Sequence, residues 1–356
     1  MTINHNYYLD LAFKQAEINL GKTKLNPSVG SVLVQNNSVI SSGVTSINGR
    51  PHSEFNTLNK KINFKKSALY VTLEPCTHKG LTSPCVDLII KKKIENVYYC
   101  FNDPDERTYK KAKVILKKNK VRTKQLITKK YKDFYNSYFI NKKNKVPYIS
   151  AKIAVSKDYF TINNKSKWIT NSRSRTVAHL LRSKFDCIIS TSKSINEDNS
   201  LLNCRLNGMN KNKPDLFIID LKLKLRKNLL LTKFNFTRKT YIITTSTDFK
   251  KKLFYEKLNY KIITIKSLIN KHDFQLLFKK LFKLGYGRVL FETGLTFLNE
   301  LISNKYLNNL YIFQSNQMLK KNGRNNSSTH LLRKIRFKKI QNVNLNNDKL
   351  YETKIK

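Results

Sequence analysis

Acidic residues are scarce in this chain: 23 Asp and Glu stand against 69 Lys and Arg in 356 residues, a formal charge of +46. A surface so short of carboxylates attracts polyanions, and nucleic acid is the obvious partner. The excess is mostly lysine, however, scattered along the whole length among abundant Asn and Ile. All three have A/T-rich codons, so genomic base composition accounts for the bias without a ligand and leaves only salt-sensitive, unspecific adhesion. No specific nucleic-acid partner is expected. Cysteine is also sparse. Five is an odd number, and Cys100, Cys187 and Cys204 have no framework spacing, which excludes a disulfide scaffold and implies a reducing compartment. Met1-Thr2-Ile3-Asn4-His5 has no basic region followed by an apolar core, and no apolar run approaches the ~20 residues of a membrane span. The expectation is a soluble, cytoplasmic protein with no membrane partner.

What is present is 40% hydrophobic residues, which excludes wholesale disorder, in a chain long enough for roughly two to three domains. One constellation carries chemistry: Pro51-His52-Ser53-Glu54, then Pro75-Cys76, then Pro84-Cys85. An imidazole and two thiolates suit a four-coordinate Zn²⁺ whose fourth position stays open for water. Glu54, two residues after the histidine, can reach the site without binding metal and shuttle a proton from water to a leaving amine. The zinc-deaminase signature is H-x-E…P-C-x-x-C, whereas here eight residues separate the cysteines. The bland alternative, two buried thiols and an unrelated imidazole, makes Glu54 and both prolines coincidences.

Apolar spacing predicts a helix over 7–20, a hairpin over 31–42, a short helix from His52 and a strand over 69–73 that ends at Glu74-Pro75-Cys76. Pro84 suits a helix start, placing Cys85 at a helix N-terminus where a thiolate is favoured. A strand over 96–100 and helices near 108–118 and 131–140 complete a first unit. The polar run Asn141–Pro147 is read as a boundary, giving domains 1–145 and 146–356. Beyond it, strands at 148–155, 187–191, 215–220, 240–245, 261–265, 288–292 and 310–314 alternate with helices near 172–185, 273–283 and 296–303, an α/β sheet.

The stretch Thr72-Leu73-Glu74-Pro75-Cys76-Thr77-His78-Lys79-Gly80-Leu81-Thr82-Ser83-Pro84-Cys85 resembles one family. It is the bifunctional riboflavin biosynthesis protein, a diaminohydroxyphosphoribosylaminopyrimidine deaminase joined to a 5-amino-6-(5-phosphoribosylamino)uracil reductase. The pattern T-L-E-P-C-x-H-x-G-x-T-x-P-C is met at every fixed position, and Asn26-Pro27, Val29-Gly30 and Pro51–Glu54 match as well. The resemblance explains the eight-residue spacer. It implies two α/β domains: an N-terminal cytidine-deaminase-like α/β/α sandwich and a C-terminal dihydrofolate-reductase-like domain. It also implies His52, Cys76 and Cys85 as zinc ligands, Glu54 as the catalytic proton shuttle and His78 near the substrate.

The second half is similar to the family's NADPH-dependent reductase through 152–158, 166–170, Leu181-Arg182-Ser183, Ser194, Asp198, Leu202, Arg205, Asp220 and Glu292-Thr293-Gly294. The resemblance implies Ala154, Trp168, Ser194, Asp198 and Gly294 against NADPH. It implies Ser166, Arg182, Leu202, Arg205 and Glu292 against a small phosphoribosylaminopyrimidine. Multimers, as a homo-oligomer, are implied too. Without the resemblance, Arg182 and Arg205 read as solvated arginines, and Trp168, the single tryptophan, as a core residue. The chain departs from the family pattern at Tyr159 and Thr293, both Gly there, and at Asn199 and Ser200, where an acid and Pro are usual. Two other readings stay open: a deaminase with a degenerate reductase domain, and a tRNA-type nucleic-acid deaminase.

Overall fold

The computed structural model describes residues 4–209, 214–325, 332, 338–339 and 343–355. It divides into two compact units, Met1–Lys145 and Val146–Lys356.

In the first unit the elements follow as α1 (His5–Ile18), β1 (Gly30–Gln35), β2 (Ser38–Val44), α2 (Ser53–Leu58), β3 (Ala68–Leu73), α3 (Cys85–Lys91), β4 (Asn96–Phe101), α4 (Lys111–Lys118), β5 (Arg122–Gln125) and α5 (Asn136–Asn144). The sheet order is β2-β1-β3-β4-β5. β1 is antiparallel to both β2 and β3, while β3, β4 and β5 are parallel. Alternation sorts the side chains between two faces. Val32, Val34 and Tyr70 pack with Tyr8 and Ala12 of α1. Leu33, Leu69 and Val71 join Leu58, Val86 and Ile89 from α2 and α3. α1 starts at Asn4, whose side chain accepts from the Tyr7 amide, and buries Tyr8, Leu9, Ala12, Phe13 and Ala16. It lies directly on β1: a Cβ at Gly30 would stand 1.9 Å from the Ala12 carbonyl oxygen. Because Gly30 pairs with Val44 and β1 runs against β3, the end of β2 and the end of β3 emerge on the same edge. Both zinc-motif segments leave from that edge.

The second unit contains β6 (Tyr148–Val155), β7 (Ile162–Asn163), α6 (Ser172–Arg182), β8 (Cys187–Thr191), α7 (Ser192–Asp198), β9 (Asp215–Ile219), α8 (Leu230–Lys233), β10 (Thr240–Thr244) and α9 (Phe249–Lys257). It continues through β11 (Tyr260–Thr264), α10 (Lys271–Lys283), β12 (Arg288–Phe291), α11 (Leu295–Ser303), β13 (Asn309–Gln314), β14 (Gly323–Arg324), β15 (Lys338–Lys339) and β16 (Lys349–Lys354). The main sheet is ordered β11-β10-β9-β8-β12-β6-β13-β16-β15. Its pairs are parallel from β11 to β13, and β16 closes antiparallel on β13. One face packs Ile189, Phe217, Ile243 and Phe291 with Phe274, Phe278 and Leu298 from α10 and α11; the other packs Ile188, Ile218, Ile242 and Leu290 with Ile195 and Tyr255 from α7 and α9. Burial on both faces is what apolar runs such as Cys187–Thr191 require in a parallel sheet.

Tyr159 takes the left-handed conformation in the turn after β6, with φ +67°. Ser156 secures it, accepting the Phe160 amide on Oγ at 2.9 Å and the Tyr159 amide on its carbonyl at 3.0 Å. A tyrosine thus holds a backbone conformation that glycine adopts at lower cost. Among the described residues, no helix is long and apolar enough to cross a membrane.

Candidate active sites

His52 occupies the N-cap position of α2 in extended conformation, and its side chain makes no capping hydrogen bond to the helix. Its Nδ1 lies 3.5 Å from Cys76 Sγ and 3.4 Å from Cys85 Sγ. The three ligand atoms all fall within 4.8 Å of one another, and no other such trio of His, Cys, Asp or Glu occurs among the described residues. Zn–S bonds of about 2.3 Å and Zn–N bonds of about 2.0 Å give tetrahedral edges of roughly 3.5 Å. The trio therefore fits zinc.

Electrostatics agree with that donor set. Hydrogen bonding from Cys85 draws the Cys76 thiol well below its ordinary range, while the same bond and burial push the Cys85 thiol up. A dication bound between them would favour the thiolate form of both. The Cys85 amide, in the first turn of α3, donates to Cys76 Sγ at 3.3 Å. Glu54 is 3% exposed, and burial raises its carboxyl above the usual range. Its Oε2 accepts from Ser53 Oγ at 3.0 Å. It is a buried carboxyl beside the thiols, able to hold or release a proton.

Two supports for this site were not singled out from the sequence. Glu74, buried at the end of β3, accepts the amides of Asp103, Lys110 and Ala112 at 3.2, 3.0 and 3.1 Å. It thereby pins the loop whose Thr108 Oγ1 meets His78 Nδ1 at 3.1 Å. Gly43 of β2 lies under α2, where a Cβ would come within 2.7 Å of the Ser53 carbonyl oxygen and 2.6 Å of Thr57 Oγ1.

In the second unit the structure brings some of the expected residues together. Arg182 donates to Glu292 through Nε at 2.6 Å and through Nη2 at 2.9 Å. Arg182 Nη1 also reaches the Asn203 carbonyl at 3.1 Å, and Arg205 Nη1 donates to Asn203 Oδ1 at 2.7 Å. Leu202 precedes that asparagine with φ +46°. Register adds a residue that sequence reading passed over: Phe291 pairs with Ala151, so Glu292 comes beside Lys152, whose Nζ is 3.6 Å away. Burial lowers the Lys152 pKa, and Glu292 opposes the shift. Burial alone would raise Glu292, but Arg182 and Lys152 carry it down to about 2. The signal was available in the alternation of β6, where Lys152 and Ala154 are partly exposed between buried Ala151, Ile153 and Val155.

Ser194, in the first turn of α7, stands 3.8 Å from where a Gly294 Cβ would be, and Gly294 caps α11. These two helices begin at the ends of the adjacent parallel strands β8 and β12. Between them, Thr293 Oγ1 is buried without a hydrogen-bond partner among the described residues. Helix N-termini with an unspent hydroxyl at parallel strand ends fit the phosphates of a dinucleotide. Asp198 is exposed at the end of α7, near enough to Lys152 to favour its charge. Trp168 is half exposed, with the Arg175 guanidinium 4.7 Å from its ring centroid. Ser166 Oγ accepts the Trp168 amide at 3.2 Å. Among the described residues no hydrogen bond joins Ser166 or Trp168 to the Arg182–Glu292 cluster.

Residues 2–101 match the model of the cytidine and deoxycytidylate deaminase zinc-binding region, and residues 147–347 match that of the RibD C-terminal domain. The riboflavin biosynthesis protein RibD of Bacillus amyloliquefaciens is 31% identical over 267 residues, 73% of this chain and 71% of that protein. RibD of Actinobacillus pleuropneumoniae is 30% identical over 291 residues, covering 81% and 77%. Among solved structures, the deaminase/reductase of Thermotoga maritima superposes with a TM-score of 0.83 at 22% identity, and Acinetobacter baumannii RibD with 0.81 at 23%. Each covers 98% of both chains. Those two likenesses bear on the fold, which is a cytidine-deaminase-like domain followed by a reductase domain.

Proposed function

The chain belongs to the RibD family of riboflavin biosynthesis proteins, and from that premise we propose how its own residues divide a deamination and a reduction between two sites. It is a zinc- and NADPH-dependent enzyme of riboflavin biosynthesis. The substrate is a small phosphorylated molecule, 2,5-diamino-6-(5-phosphoribosylamino)pyrimidin-4(3H)-one. Deamination gives 5-amino-6-(5-phosphoribosylamino)uracil, and reduction turns its ribosyl group into a ribityl chain. We take the domain of residues 1–145 to perform the first step and that of 146–356 the second, in the cytoplasm, without nucleic acid and as a homo-oligomer.

At the first site His52, Cys76 and Cys85 would hold zinc, which when bound makes water acidic enough to act as a nucleophile near neutral pH. Glu54 Oε1 or Oε2 takes the proton that water loses and returns it to the departing amine. Burial suits it to this, since a carboxyl whose pKa is raised takes up a proton more readily than a solvated one. His78 would face the pyrimidine, with Thr108 fixing its ring.

At the second site Thr293, Gly294 and Ser194 would hold the dinucleotide phosphates, with Ala154, Trp168 and Asp198 along its length. NADPH when bound supplies hydride for the opened sugar. Arg182, Leu202, Arg205, Ser166 and Glu292 would position the substrate, the guanidinium forks matching phosphate oxygens. Lys152, largely withdrawn from solvent beside Glu292, adds a cation to that cluster.

The observation that carries this reading is the trio His52–Cys76–Cys85 with Glu54 buried beside it. The test is a coupled assay on zinc-loaded protein, ammonia release first and NADPH loss second. Both should occur, and E54Q should keep its zinc while ammonia release drops by about 10²–10⁴-fold. Ammonia without NADPH loss marks a degenerate reductase. Deamination of structured RNA but not of the free nucleotide overturns the assignment.

A further inference from the structure

Arg238 lies just before β10 with its guanidinium inside the second unit, although the residue as a whole is only half-buried. Its partners are all carbonyls. Nη1 donates to Leu202 at 2.6 Å and to Pro214 at 3.1 Å, and Nη2 donates to Leu201. No carboxylate pairs with it among the described residues. The acid that favours its charge, Asp215, is engaged elsewhere, accepting from the Tyr286 hydroxyl at 2.5 Å and the Lys239 amide at 3.1 Å. Burial, and then the nearby charges of Arg182 and Arg205, press Arg238 down to about 9. A buried cation satisfied by neutral acceptors alone, facing two others, is an unfavourable arrangement for stability. Glu292 neutralises Arg182, but Arg205 has no acidic partner among the described residues either.

The carbonyls it holds belong to an unusual piece of backbone. Leu202 has φ +46° and Asn199 φ +45°, and a bulky leucine rarely enters the left-handed region. Such a conformation persists where its surroundings over-determine it. Arg238 fixes the carbonyls of residues 201 and 202 from one side. From the other, His179 Nδ1 at 2.8 Å and Arg182 Nη1 at 3.1 Å fix that of Asn203. Arg205 then takes its direction from the Asn203 side chain.

We propose that Arg238 is a positioning residue for the reductase: its grip on the Leu201, Leu202 and Pro214 carbonyls holds the segment Leu202–Arg205 in the conformation that presents Arg205 to the substrate's phosphate. It touches neither substrate nor dinucleotide; it acts through the backbone, and its unneutralised charge adds to the positive potential that draws a phosphate dianion. This rests on the reading that Leu202 and Arg205 face the substrate.

The experiment compares wild type, R238M and R238K as full-length, zinc-loaded protein. Reductase KM for the deaminated phosphoribosyl substrate, KM for NADPH and kcat are measured, with deaminase turnover as an internal control and amide hydrogen exchange over 199–209. R238M should raise the substrate KM by about tenfold or more. It should leave NADPH KM and deaminase turnover near wild type and speed exchange at 201–205. R238K keeps the charge and loses the fork, so its rise should be intermediate. An unchanged substrate KM in folded R238M overturns the proposal, as does a loss spread equally over both KM values and kcat with no rescue by lysine. If R238M does not fold, R238K decides by the same split. A wild type that never oxidises NADPH refutes the reductase reading instead; exchange at 201–205 then still tests Arg238's hold on the segment.

Discussion

Glu292 takes the Arg182 guanidinium on both of its carboxylate oxygens, at 2.6 and 2.9 Å, with both side chains largely withdrawn from solvent. Lys152 stands 3.6 Å from the same carboxylate, so one acid answers two buried cations. Removing it strands both. E292Q should cost the second unit about 3–5 kcal/mol, the usual loss when one partner of a buried pair is taken away. Urea unfolding checks this, and R182M/E292M together should recover part of the loss.

The same carboxylate sets a pH dependence. Its folded pKa is depressed to about 2, chiefly by Arg182 against the opposing effect of burial. A depressed carboxylate binds fewer protons folded than unfolded, so its contribution is complete above its unfolded pKa of ~4.5 and drains away as pH falls toward 2. Between those values the second unit should lose stability in wild type. E292Q, already weakened, should show a flatter slope there.

Gly43 ties sheet geometry to metal binding. Its missing side chain lets β2 touch the first turn of α2, the turn that carries Glu54 and follows His52. G43A must lift that helix. Displacement of about 1 Å costs on the order of 10²-fold in rate, so ammonia release should fall by that factor and zinc retention should weaken. NADPH oxidation with supplied intermediate should be spared.

Tyr159 holds a left-handed conformation that glycine adopts freely and alanine does not. Y159G and Y159A lose the same packing against the core, but only alanine keeps the strain. Y159G should therefore be the more stable by about 1 kcal/mol, read as a higher melting temperature of the second unit. The reverse order would mean that the backbone carries no strain here.

Much of this was legible before any coordinates. Apolar-rich runs identified β6 and β8 at their observed bounds, because strands covered on both faces favour apolar residues, although β6 also carries Ser150 and Lys152. Among the elements that escaped are strongly charged ones. β5 is Arg-Thr-Lys-Gln on a sheet edge, and α9 reads Phe-Lys-Lys-Lys-Leu-Phe-Tyr-Glu-Lys. Their tertiary position, not their composition, makes them regular. The zinc trio could be proposed from spacing because short segments with fixed turns carry each ligand. The Lys152–Glu292 contact could not, since it depends on the register between β6 and β12. Arg238 was silent for the same reason: its role lies in which distant carbonyls it reaches.

Zinc K-edge X-ray absorption of the purified wild type tests the central claim most directly. The account predicts one zinc per chain surrounded by two sulfurs at about 2.3 Å and two lighter atoms at about 2.0–2.1 Å. A shell with three or more sulfurs, a shell with none, or protein that retains no zinc would contradict it.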